Sequence, residues 1–243
     1  MSAFLIGLLA ASSLVVGAAI ALVHPVGRST LGLIMAFGSG VLISAVAYDL
    51  VADAFATSGV AGIPLGMGLG ALTFFFGDLQ IDRAGGQGRK SSTATEGGSA
   101  RAIVLGTVLD GVPESIVIGL SLLSGEGVSV AVVIAVFLSN LPEAMSASAG
   151  MAAAGRPGRK IIRMWILVAL SSALAAWVGY ALLGDASAWT IAFVQSFAAG
   201  ALLTMLADTM MPEAFQHAGP VVGLATTFGF LVAFALASWE RAG

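Results

Sequence analysis

No cysteine occurs in the 243 residues, histidine and tyrosine occur twice each, and charged residues make up only 9% of the chain. Without cysteine there is neither a disulfide framework nor a thiolate metal site. With so few charges and a hydrophobic fraction of 58%, the chain cannot clothe a water-soluble domain of this size. A mean hydropathy of +1.00 points to lipid as the solvent. A basic start is also missing from the first apolar segment, and no clear small-residue cleavage site precedes His24-Pro25. That segment is therefore expected to stay as a helix rather than serve as a signal peptide.

What the sequence does have is a succession of apolar segments of about 20 residues, the length that a hydrocarbon core of about 30 Å requires. They run over 3–23, 31–54, 64–79, 102–123, 128–152, 161–183, 189–211 and 221–239. The expectation is an all-α membrane protein of eight transmembrane helices, with residues 1–243 forming a single transmembrane domain. Between the third and fourth segments, residues 84–100 are rich in Gly, Ser and Thr, which predicts a flexible cytoplasmic loop. Nine of the ten Lys and Arg fall at connections after the first, third and fifth segments, and only Arg241 falls on the other side. Under the positive-inside rule those connections are cytoplasmic and both termini are extracytoplasmic.

The stretch beginning at Phe37 matches the stretch beginning at Phe197 at a constant offset of 160. Phe37/Phe197, Gly40/Gly200, Leu42/Leu202, Ala47/Ala207, Ala54/Ala214 and Phe55/Phe215 are identical; Ser44/Thr204 and Asp53/Glu213 are conservative. The second and seventh helices then read as copies that cross the bilayer in opposite senses. That makes a 3+2+3 inverted-repeat arrangement, with the fourth and fifth helices as an antiparallel couple in the middle.

An ionisable side chain at the centre of a span costs at least about 2.5 to 3.5 kcal/mol, so each one asks for a partner or a cavity. Asp49, Asp110, Glu114, Glu143 and Asp208 fall within predicted spans and Asp53 and Glu213 at span ends, with no Lys, Arg or His at the same depth. Several carboxylates in a low-dielectric site bind protons or a cation. Asp110 and Glu114 share a helix face, as do Ser139, Asn140 and Glu143 on the next helix. Pro113 and Pro142 each free a backbone carbonyl about one turn earlier, near Leu109 and Leu138. Together these residues predict a midplane cluster of oxygen donors suited to a hard divalent ion. Asp49 and Asp53 are placed towards the external mouth, and Asp208 and Glu213 towards the cytoplasmic exit.

The remaining features read structurally. His24 and His217 are expected in solvated connections, and Trp165, Trp189 and Trp239 as interface anchors. Gly62, Gly66 and Gly70 have small-xxx-small spacing for close helix contact, while Met205, Met210 and Met211 are expected to pack.

These residues resemble the ZIP (ZRT/IRT-like) family of metal-ion transporters, in its short prokaryotic-type branch. The resemblance covers essentially the whole chain and rests on Asp-Gly-Val-Pro-Glu at 110–114, Ser-Asn-Leu-Pro-Glu at 139–143 and the related stretches of the second and seventh helices. It implies that Glu114, Asn140 and Glu143 are metal ligands. Asp110, Gly111 and Ser139 stand where the family carries His, Asn and His or Gln, and the sixth helix offers only Ser171 and Ser172 for a second metal. Loss of imidazole removes the ligand that best favours zinc.

The resemblance implies a transporter, not an enzyme, that moves a divalent cation towards the cytoplasm. Zinc is the family default, with manganese, iron, cobalt and cadmium as alternatives; the ion is substrate, and no resident cofactor is expected. A related protein carrying another cation or protons, or a non-transporting sensor, is the competing reading. Tyr48-Asp49 and Gly77-Asp78 only faintly echo the aspartate pair of intramembrane aspartyl proteases, and no His-Glu-x-x-His occurs. The expected location is the cell membrane, multi-pass, which is the inner membrane in a Gram-negative cell. Expected partners are membrane lipid and the cation, with a homodimer as the candidate assembly and no nucleic acid.

Overall fold

Backbone polar groups in lipid must be satisfied within the chain, and helices achieve this locally. The computed structural model describes residues 3–24, 26–60, 62–83, 100–123 and 130–242, and among these there are helices and turns but no strand. The rods are α1 (Ala3–Val23), α2 (Arg28–Ser58), α3 (Ile63–Ile81), α4 (Ala100–Ser121), α5 (Val130–Ala153), α6 (Gly158–Leu183), α7 (188–218) and α8 (Val222–Ala242). By length and hydropathy Ala3–Val23, Arg28–Ser58, Val132–Ala153, Gly158–Leu183 and the run Ala188–Trp239 are each sufficient to cross a membrane. The loop expected at 84–100 lies outside the described residues, apart from Ala100, which opens α4.

Two helices run four or more residues past the C-terminal ends of their apolar segments. α2 runs on past Ala54 to Ser58 and α7 past Met211 to Ala218, so Asp53, Glu213 and His217 are helical. For His217 this corrects the expectation of a connecting loop: the last turn of α7 holds it, because Gly219 rather than Met211 ends the helix. Each of these long helices contains one π-helical turn, Val46–Val51 in α2 and Leu206–Met210 in α7. Each ends on a glycine at φ +67°, Gly59 and Gly219, whose N–H bonds the carbonyl of Phe55 or Phe215. Every one of these features recurs at the offset of 160 found in the sequence. The start of α2 lies against the end of α7, with the position of a Gly32 Cβ 2.8 Å from the Ala214 carbonyl, so the two copies run antiparallel.

Many large apolar side chains face outward while small residues line the helix contacts. Leu5, Leu9, Leu65, Leu72, Leu167, Leu174, Leu224 and Phe228 are exposed, whereas Ala10, Ala36, Ala169, Ala199 and several serines are enclosed. Lipid is as apolar as leucine, so close backbone approach supplies the helix association. Gly40 of α2 meets the Thr226 carbonyl of α8, and Gly229 of α8 meets that of Phe37. In the other copy Gly200 of α7 meets the Met67 carbonyl of α3, and Gly70 meets that of Phe197. The expected close contact through Gly66 and Gly70 is thus present, against α7. Among the further neighbours are α1 on α5 and α6, α4 on α6 and α7, and α2 on α5.

Trp165 differs from its expectation. It is fully buried, and its Nε1 donates to Ser148 Oγ at 2.8 Å, tying α6 to α5. A buried hydroxyl acceptor gives the indole N–H its partner inside the protein, which an interfacial position would otherwise supply. Trp189 and Trp239 are exposed.

Candidate functional site

Both Pro-Glu turns lie inside continuous helices and are buried, and α4 and α5 touch there. Asp110, Glu114, Ser139, Asn140 and Glu143 are all less than 9% exposed. Ser139 Oγ donates to Glu114 Oε1 at 2.8 Å, and the same hydroxyl lies 3.0 Å from the carbonyl of Val136, one turn back. This bond joins the two Pro-Glu turns directly. A hydrogen bond inside a protein is worth about 0.5 to 1.5 kcal/mol net, and this one holds α4 to α5 at this level. Ser115 Oγ donates to the carbonyl of Gly111 at 2.6 Å, within α4.

Other sequence-predicted residues are distributed along the helices. Asp49 and Asp208 each occupy a π-helical turn, Asp49 half-buried and Asp208 exposed. Asp53 is half-buried one turn beyond Asp49, and its carbonyl accepts from Thr57 Oγ1 at 2.7 Å. Glu213 is enclosed, and its Oε1 accepts from Ser146 Oγ at 2.9 Å. Among the described residues no three of His, Cys, Asp and Glu come close enough to hold a metal ion between them. The structure brings Glu114 to Ser139 and Glu213 to Ser146.

The carbonyl freed by Pro142 has a different use from the one expected. Leu138 O lies 2.9 Å from where a Gly38 Cβ would stand, so α2 packs against it. Of the two serines on α6, Ser172 is the one turned towards the site. Its Oγ is 3.3 Å from the Cβ position of Gly111, next to Asp110. Ser171 is exposed and bonds the carbonyl of Val168 at 2.7 Å.

Sequence reasoning missed Ser146. It sits in an Ala/Ser run, yet Ser139, Glu143 and Ser146 stand at i, i+4 and i+7, the spacing of one helix face. Tyr48 was also unremarked as a packing residue. Its ring lies 5.1 Å from that of Phe234 and 6.1 Å from that of Phe230, joining α2 to α8 beside Asp49.

The chemistry on offer is an enclosed row of carboxylate, hydroxyl and amide oxygen along α5. Comparison with known sequences supplies the class of protein that uses it. A family model described as ZIP zinc transporter matches residues 78–238, about two-thirds of the chain. No curated protein sequence matches. The matched region begins near the end of α3 and includes both Pro-Glu turns and α7; α2 lies before it but repeats α7 in sequence, π-turn and terminal glycine. The chain belongs to the ZIP zinc transporter family, and it is accordingly a membrane transporter of divalent metal rather than an enzyme.

Proposed function

We propose that this protein moves a divalent cation into the cytoplasm through a midplane site between α4 and α5, formed by Asp110, Glu114, Ser139, Asn140 and Glu143. The observation that carries this reading is the Ser139 to Glu114 hydrogen bond, which sets the two Pro-Glu turns face to face in a buried position. Glu114 and Glu143 are the core ligands, and Asp110 and Ser139 adjust selectivity. The cation draws the carboxylates together as it binds, since their mutual repulsion at close range needs a counter-charge. The eight rods span the cell membrane with both termini outside, in line with basic residues at the α1–α2, α3–α4 and α5–α6 connections. The ion enters past Asp49 and Asp53 and leaves past Asp208 and Glu213.

An all-oxygen donor set favours a harder ion than zinc, so manganese competes with the ion that gives the family its name. No resident cofactor takes part. Asp110, Gly111 and Ser139, standing where the family carries His, Asn and His or Gln, support as a second reading a relative that carries another cation or protons, or a non-transporting sensor.

Proteoliposome uptake tests the site. Glu114→Ala and Glu143→Ala are expected to abolish divalent uptake while the protein stays folded, and uptake persisting in both would sink the assignment. Heat stability separates the second reading, because an ion that binds only the folded protein must raise its apparent stability.

A further inference from the structure

Ser146 is fully buried, Glu213 is 8% exposed, and the 2.9 Å hydrogen bond between them joins α5 to the last turns of α7. On its other side this part of α7 is fastened to α2, where Gly32 meets the Ala214 carbonyl and the side chains of His217 and Ala218. Leu31, Met35, Ala36, Met145, Ala214 and Val222 form an apolar cluster at this level. The carboxylate-hydroxyl contact thus lies buried beside this apolar cluster. Along α5, Ser146 comes three residues after Glu143, about 4.5 Å further along the axis. A cation leaving Glu143 towards the inner end meets this contact next.

We propose that the Ser146–Glu213 hydrogen bond is a latch on the inner end of the pathway, opened by the cation itself. The proposal rests on the transport reading above. With no ion present the serine hydroxyl donates to Glu213 Oε1 and holds α5 against α7. A divalent cation is the stronger partner for that oxygen and takes it over. The hydroxyl then no longer donates to Glu213, and the tie between α5 and α7 is released. No proton is gained or lost. Serine and threonine can donate this bond, and alanine cannot.

The absence of cysteine makes the test clean, because Met145→Cys places one thiol beside the latch at a position only 4% exposed. The measurement is its labelling rate by a water-soluble maleimide in the purified full-length protein, with and without Mn²⁺, an ion that thiols bind weakly. Labelling is expected to be slow alone and about tenfold faster with Mn²⁺, the scale of one charge-assisted hydrogen bond. Adding Ser146→Ala should make labelling fast without metal and indifferent to it, and Ser146→Thr should restore the slow, metal-dependent behaviour. Slow labelling in the alanine variant, or fast labelling in the threonine variant, overturns the latch. Heat stabilisation of the wild type by Mn²⁺, with equal acceleration of labelling in the parent and in the Ser146→Ala variant, overturns the latch alone. If neither Mn²⁺ nor Zn²⁺ stabilises the wild type, the transport reading fails and the latch fails with it.

Discussion

Ser139 and Glu114 are bonded across the α4–α5 interface at 2.8 Å, each on the turn that carries the proline of its own helix. In the site proposed above, this hydroxyl takes the position where an imidazole would favour zinc. Ser139→His is expected to raise the ratio of zinc to manganese uptake in proteoliposomes by about tenfold, equivalent to about 1.4 kcal/mol of discrimination. An unchanged ratio in a folded, active variant would remove Ser139 from the path of the ion.

The contact of Gly40 with the Thr226 carbonyl leaves no space for a methyl group. Gly40→Ala must push α2 away from α8, at an expected cost of about 1 to 3 kcal/mol. A Cβ at Gly68 meets nothing within 4 Å, so Gly68→Ala should stay within about 0.5 kcal/mol of wild type. Thermal melting of both variants in one detergent is the check, and equal midpoints would contradict the packing described for α2 and α8.

Gly59 and Gly219 combine φ +67° with ψ near −155°, a region essentially closed to residues with a side chain. Gly219→Ala is expected to cost about 1 to 3 kcal/mol although space is open around it. Gly223→Ala also meets open space but lies inside helix α8, where the added methyl is harmless. Matching melting curves for the two variants would show that the positive φ at the end of α7 is not required.

The helical class and the copying of α2 in α7 were legible in the sequence, since hydropathy sets the first and Gly40/Gly200 and Phe37/Phe197 the second. The ends of these two helices were not. Asp53, Glu213 and His217 are polar enough to read as span ends, but only the left-handed glycines that follow stop the backbone. The π-turns were equally invisible, because one extra residue in a turn leaves no mark in an apolar pattern. Trp165 was misplaced for want of a partner, and Ser148, seventeen residues earlier, can be assigned to it only once α5 and α6 are packed. At the site, the pairing of α4 with α5 was readable from the two Pro-Glu motifs. Ser146 was hidden because a serine in an Ala/Ser run carries no signal until the face it shares with Glu143 is drawn.

The glycine-to-carbonyl joints between α2 and α8, and between α7 and α3, are made of main chain. Their strength owes little to the side chains that α3 and α8 present outward, such as Leu65, Leu72, Leu224 and Phe228. The outer coat of these helices is thereby uncoupled from the machinery inside. It can drift to suit bilayers of different thickness, and a protein engineer can rewrite it for solubility or crystal growth while the ion path stays as it is.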